Sequence, residues 1–305
     1  MGESGSVSVH HDWQTVELVG SYTQPVVIAG VPTEHGGQES VVRIRNLRER
    51  DPAATGSGGQ SAELCLGWCF QIAIVESACY DGSHATELVS WMAMEAGSYR
   101  TDEGVQLQAG VQSGINSQVQ DVSFHSAFDT AADQSRPGGT GARTKAVVVT
   151  TVQTTGTEGF LTARQASGSN QGFQVKIMPA APQVTEAVGW VATLPSVGHI
   201  GGHAFQAAMA AERPRQDGWY FGLQFESSFF AGPPRIFGAI SSAINPAMVQ
   251  AQALRLNGEP SSAGADIFVE DDLCDNQAAT SMRETVSYIA LQGGGQARLR
   301  AVREN

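Results

Sequence analysis

Lysine is almost missing from this 305-residue chain: Lys145 and Lys176 are the only two. With 18 basic against 30 acidic residues the formal net charge is −12. A surface of that sign repels phosphate backbones and anionic headgroups, so neither nucleic-acid binding nor electrostatic docking on lipid is expected. Long apolar runs are missing too, and a spanning helix needs roughly 20 such residues, so no membrane insertion is expected. Met1 to His11 has no apolar h-region behind a basic start, and no secretory signal is read there. The compartment stays open: the lean is intracellular, with a processed protein of the extracellular surface as the alternative.

Cysteine is scarce, at Cys65, Cys69, Cys79 and Cys274. Two readings stand, a Cys69–Cys79 bridge between neighbouring strands and buried free thiols. A zinc site on Cys65, Cys69 and Cys79 fits no common ligand spacing. Also lacking are a G-x-S-x-G elbow, a Walker loop, an H-E-x-x-H motif and a cysteine with a base beside it. The chain is therefore read as no enzyme, and no cofactor is expected.

What is present points to strands. Charged residues make up 16% and hydrophobic ones 41%, with 35 glycines and many Val, Thr, Ser and Gln. This composition favours short pleated segments joined by tight turns. One pattern returns three times: Glu87-Leu88-Val89-Ser90-Trp91-Met92-Ala93, Glu186-Ala187-Val188-Gly189-Trp190-Val191-Ala192 and Glu284-Thr285-Val286-Ser287-Tyr288-Ile289-Ala290. The aromatic positions 91, 190 and 288 lie 99 and then 98 residues apart. Internal repetition at a near-constant period marks a repeat architecture.

Other segments recur ahead of each copy. An apolar strand at 25–31, 146–150 and 234–240 precedes an Arg-bearing strand ending in Arg45, Arg164 and Arg255. Strands opened by Phe70, Phe173 and Ile267 follow. Between Leu47 and Leu66 the first copy carries a surface insertion that the second lacks. The expectation is an all-β chain of three tandem antiparallel β-sandwich units at 1–110, 111–205 and 206–305. His203 to Arg213, Ala-rich and stopped by Pro214, is read as a short linker helix between the second and third units. Trp13 and Trp219 are read as marking equivalent unit starts.

The order of apolar strand, Arg-bearing strand, Phe-opened strand, polar loop and V-S-W-x-A resembles the H-type lectin domain. Gly172-Phe173 with Val188–Ala192, and Val89–Ala93, carry the likeness best. The resemblance implies a six-stranded antiparallel sandwich, and a trimer recognising N-acetylgalactosamine between adjacent subunits through a Trp-His pair ahead of the last strand. The matching stretches here, Glu76–His84, Met178–Pro182 and Glu270–Asp275, hold no Trp-His. Three units on one chain invite a single-chain pseudo-trimer, with beads on a string as the alternative.

Two functions follow from different classes. One is a structural or adaptor protein contacting other proteins within a larger assembly. The other is a carbohydrate-binding surface protein, for which Tyr80, Asp81 and His84 are the candidate sugar contacts. Glu270, Asp271, Asp272 and Asp275 could ligate calcium, against the plainer reading of solvated turn acids. The recurring Glu87, Glu186 and Glu284 are read as structural partners of Arg45, Arg164 and Arg255, bracing adjacent strands. Trp91, Trp190 and Tyr288 are read as core aromatics. His199 and His203, separated by two glycines, are read as part of a linker loop, and His10, His11 and His35 as exposed.

Overall fold

The computed structural model describes residues 1–49, 65, 67–130, 145–166, 168–179, 184–211, 213–215, 218–226, 230–242, 251–272, 274, 284–294 and 297–304. The chain is all-β, and every strand pairing among the described residues is antiparallel. The first six strands are β1 (Gly2–Val9), β2 (Gln14–Glu17), β3 (Pro25–Ala29), β4 (Ser40–Glu49), β5 (Trp68–Glu76) and β6 (Glu87–Glu95). They make two layers, β1-β6-β3 and β2-β5-β4.

After β7 (Gly97–Arg100) come β8 (Gln106–Ile115), β9 (Gln120–Ser123), β10 (Val147–Val152), β11 (Thr162–Ala166), β12 (Gly172–Met178) and β13 (Glu186–Thr193). These layer as β8-β13-β10 and β9-β12-β11. After β14 (Ser196–Ile200) come β15 (His203–Ala211), β16 (Arg213–Arg215), β17 (Gly218–Gln224), β18 (Pro234–Ile240), β19 (Gln252–Leu256), β20 (Gly264–Asp271) and β21 (Thr285–Gln292). Here the layers are β15-β21-β18 and β17-β20-β19, with β16 on the edge beside β17. The same pairing order thus appears in three sheet pairs.

Each sheet pair closes over its own core. Phe70, Ile72 and Trp91 fill the first, Phe173, Val175 and Trp190 the second, and Phe221, Ile267 and Tyr288 the third. Alternation then places the other face of the last strands in a shared core. In β6, Val89, Trp91 and Ala93 face inward while Met92 and Met94 face the common centre. Val191 of β13 and Ile289 and Leu291 of β21 meet them there, with Ile28, Val147 and Phe237 from the third strands. A double-sided apolar strand needs two apolar surroundings, and this centre supplies the second. A smaller cluster, Val41, Phe160, Met178, Ala251 and Ala253, also draws on all three sheet pairs.

The connections follow one rule. β7 lies beside β8 and β14 beside β15, so the strand leaving one sheet pair extends the next. The C-terminal β22 (Ala297–Leu299) does the same for the first pair, with Gly2 opposite Leu299 on β1. β23 (Val302–Glu304) then pairs with β7.

Several expectations are corrected. His203–Ala211 is strand β15, not a helix. Phe205, Ala207 and Met209 face the common core while Ala204, Ala208 and Ala210 face the third one, a period of two. Tertiary pairing overrides the helix propensity of alanine. Trp13 precedes β2, and β17 contains position 219, whose side chain lies outside the described residues; both are second strands, preceded by β1 and β15. Residues 110 and 205, the expected unit boundaries, fall inside β8 and β15. The cysteines pair as Cys65–Cys69 and Cys79–Cys274, leaving none free, so neither a Cys69–Cys79 bridge nor free thiols nor a three-cysteine zinc site is formed. Of the insertion, residues 50–64 and 66 lie outside the described residues.

The core aromatics are matched across strands. Trp91 stands opposite Gly5 and Trp190 opposite Gly110, whereas the smaller Tyr288 stands opposite Ala208. A Cβ at Gly5 or Gly110 would lie 2.5 Å from the indole ring. Gly110→Ala is therefore expected to cost about 1–3 kcal/mol through overpacking. Urea denaturation checks this, and a change within 0.5 kcal/mol (roughly the noise of such a series) would show that the indole has room to shift.

Candidate functional site

The charged side chains that recur in the sequence converge where the sheet pairs meet. Each glutamate at the head of a last strand meets an arginine of a different sheet pair. Glu87 pairs with Arg255 Nη2 at 2.9 Å, Glu186 with Arg43 Nη2 at 3.7 Å, and Glu284 with Arg164 Nη2 at 2.7 Å. All six side chains are buried. The first pair joins the first and third sheet pairs, the second joins the second and first, and the third joins the third and second. The pairs therefore run head to tail around three seams. The Nε of Arg43, Arg164 and Arg255 alike is buried without a hydrogen-bond partner.

The pairing differs from the expected one in two particulars. The pairs bridge different sheet pairs instead of bracing strands within one. In the first copy the arginine is Arg43, not Arg45. Arg43 stands opposite Ala73 on β5, whose small side chain leaves the guanidinium room. Arg45 lies at the end of the regular pairing, donates to Gln71 Oε1 at 2.9 Å, and stacks 4.0 Å over the Trp13 ring.

The three seams differ in how their charges are satisfied. At Arg43 the guanidinium donates to the carbonyls of Gly159 (2.8 Å), Thr154 and Thr157 (3.1 Å each). Burial pulls its pKa down against the opposing pull of Glu186 and Glu158. Arg164 donates to Gln252, which in turn donates to Asp271 at 2.7 Å. The Glu87 seam is the richest in partners. Glu87 accepts from Thr33 Oγ1 (2.6 Å), from the amides of His35 (2.9 Å) and Gly36 (3.0 Å), and touches His84 Nε2 at 3.2 Å. Burial raises its pKa, but the bonds from His84, Thr33, Gly36 and His35 outweigh that and hold it at about 2.

The candidate sugar contacts do not form one site. His84 is buried, bridging Glu76 at 3.0 Å and Glu87 at 3.2 Å, so its ring is spent inside the seam. Asp81 is exposed and caps the Ser83 amide at 2.9 Å. Tyr80 is 36% exposed; its hydroxyl bonds to Glu39, which pushes the phenol up to about 12. The candidate calcium ligands are likewise turned to different protein partners. Glu270 accepts from the Ser40 amide at 3.1 Å and faces Arg255 at 3.8 Å, while Asp271 accepts from Gln252. Asp272 accepts from the Cys274 amide at 3.3 Å, and Asp275 lies outside the described residues. His199 and His203 sit on facing strands of the β14–β15 hairpin, and Glu103 holds His199 at 2.8 Å.

One open groove was not anticipated. A space of about 600 Å³ runs between the first and second sheet pairs, lined by Thr23, Gln24, Asn46, Trp68, Gln153 and Thr154 among others, none of them charged. Trp68 is half-buried, and its indole N–H donates to the Tyr22 carbonyl at 2.9 Å, which fixes the ring. Asn46 has φ 53° and sits at a break in the β4–β5 register, an irregularity of the kind that re-aims side chains at functional edges. Its signal in the sequence is slight, because one Trp and scattered amides carry no recognisable spacing.

No family model, curated protein or solved structure matches this chain. No helix among the described residues is long and apolar enough to cross a membrane.

Proposed function

We propose that this chain is a non-enzymatic structural or adaptor protein in which three repeats of one six-stranded unit form a single-chain pseudo-trimer. Its outer faces serve as contact surfaces for other proteins of a larger assembly. One observation carries the reading: the acids and arginines that recur in the sequence are spent on holding the sheet pairs together. Charges buried in such pairs are unavailable to a substrate, and their placement specifies which surfaces meet. The H-type lectin likeness is retained as a proposal for the origin of the unit, supported by six strands in two antiparallel layers each time. The stretch matching that family's sugar motif in the first unit is occupied, since His84 lies in a seam and Cys79 in a disulfide. Two disulfides favour an oxidising, extracellular setting over an intracellular one.

The neutral groove beside Trp68 favours a second reading, a carbohydrate-binding protein with a site of its own design. An uncharged lining in which amides and hydroxyls stand among apolar side chains around one fixed indole suits a neutral ligand with both apolar and hydroxyl faces, as a sugar has. A glycan array and in-situ crosslinking of the oxidised chain separate the two. A recurring, stoichiometric protein partner crosslinked through the outer strands, with no glycan bound, supports the adaptor. Millimolar or better sugar binding that Trp68→Ala weakens about tenfold or more, roughly the value of one lost stacking contact, overturns it in favour of the lectin-like reading.

A further inference from the structure

We propose that His10, His11 and Asp12, in the turn between β1 and β2, bind a divalent late transition metal such as zinc. Among the described residues they are the group of metal-ligating side chains whose ligand atoms gather, all within 4.8 Å of one another. His10 Nδ1 lies 3.6 Å and His11 Nε2 3.8 Å from the same carboxylate oxygen, Asp12 Oδ2. Ligands on bonds of roughly 2.0–2.1 Å around a tetrahedral zinc sit about 3.4 Å apart, so each imidazole already stands near ligand spacing from the carboxylate, and side-chain rotation in the exposed turn closes the ring-to-ring distance, which lies within 4.8 Å. Two imidazoles and one carboxylate suit zinc, nickel or copper; calcium takes six to eight oxygens.

The turn is held in place from outside the cluster. The His10 carbonyl accepts from the Ile74 amide at 2.9 Å, which ties the turn to β5. The second ring nitrogen of His11, Nδ1, lies 3.3 Å from the His84 carbonyl. A proton on Nδ1 donated there leaves the Nε2 lone pair directed at Asp12, and metal-binding histidines are commonly oriented by such an outer bond. The His84 ring is locked between Glu76 and Glu87, so the orienting carbonyl belongs to a rigid segment. His10 Nδ1 at present accepts the Asp12 amide at 3.1 Å, and the ion takes over that lone pair. The cluster is open to solvent, with side-chain exposures of 34% for His10, 38% for His11 and 76% for Asp12, which leaves a fourth position for water. An ion here braces the β1–β2 turn against the segment that carries His84.

The test is calorimetric titration of Zn²⁺ into the oxidised full chain, which has no free thiol to compete. One ion per chain is expected. His11→Ala and Asp12→Asn should each weaken binding about tenfold or more, while His199→Ala, at a histidine paired with Glu103, leaves it unchanged. All of these positions except His199 are in an exposed turn, and circular dichroism confirms that the variants keep their strands. No saturable binding up to about 1 mM Zn²⁺, or an isotherm that the His11→Ala/Asp12→Asn double variant leaves intact, overturns the proposal.

Discussion

Replacing Cys79 and Cys274 together by serine is expected to lower the stability of the chain by about 3–5 kcal/mol, the largest effect of any surface-directed change. The disulfide closes a separation of 195 residues. In the chain-entropy model a loop of that length is worth about 5 kcal/mol, against a total stability of roughly 5–15 kcal/mol for a folded domain. Its position adds to the argument. The polypeptide itself joins the first sheet pair to the second through β7 and β8, and the second to the third through β14 and β15. Between the third and the first, the joints include the short β22–β1 pairing, the backbone bonds from Val31 to Ile236 and from Leu256 to Pro32, the Glu87–Arg255 pair and this disulfide. The bond thus adds a second covalent link at this seam, where the chain crosses only as the short β22. The Cys65–Cys69 bridge, with a separation of 4, closes a far smaller loop and should matter by about 2 kcal/mol or less. Urea denaturation of both double-serine variants measures the contrast. Hydrogen exchange should show the Ser40 amide, which bonds to Glu270 across that seam, opening early in the Cys79/Cys274 variant. Equal midpoints for that variant and the wild type would refute the clasp.

The strands were legible because their alternation survives every local complication. Val89, Trp91 and Ala93 against Met92 and Met94 announce two apolar surroundings for one strand, and both exist. What misled was composition read without pairing. Ala204 to Ala211 has helix formers at most positions, yet its alternate residues belong to different cores, and a helix could not deliver them to both. The polar opening segment carries little strand signal of its own. In β1, Gly5 lies against the Trp91 ring, so the small residue at that position is a packing requirement of a paired strand.

The site was legible only as residue types. Recurrence of Glu87, Glu186 and Glu284 identified the acids, but a period along the chain carries no information on which neighbour each will meet. The arginines are harder still. Arg43 and Arg45 share one face of β4, and the loop between the third and fourth strands varies among the copies, so spacing cannot choose between them. Opposition to Ala73 does choose, and that is a fact of strand register. The cysteine pairing fails in the same way, because Cys79 and Cys274 are brought together by the meeting of the first and third sheet pairs. Nothing near either residue in sequence announces the other.

Glu87→Gln is expected to cost about 3 kcal/mol at neutral pH, because it removes the nearer of the two carboxylates facing the buried Arg255 guanidinium and leaves only Glu270 at 3.8 Å. Glu186→Gln should cost clearly less, since Arg43 keeps three carbonyl acceptors and its ion pair is long at 3.7 Å. The pH dependence separates the Glu87 contribution from mere packing. Its carboxyl is held at about 2, below the ordinary 4.5, so the folded state releases this proton more readily than the unfolded chain. The resulting stability is complete above pH 4.5 and is lost as the pH falls toward 2. A displacement of that size corresponds to about 3 kcal/mol. Glu270 and Asp271 act with the opposite sign. Burial raises both, so their contributions are full at low pH and decline as the pH rises through the carboxylate range. Glu270→Gln should therefore leave the acid limb of the stability curve in place, and Glu87→Gln should remove it. Urea midpoints measured from pH 2 to pH 7 decide the matter. A limb that survives in Glu87→Gln would assign the acid sensitivity to other carboxylates and detach this seam from the stability of the chain.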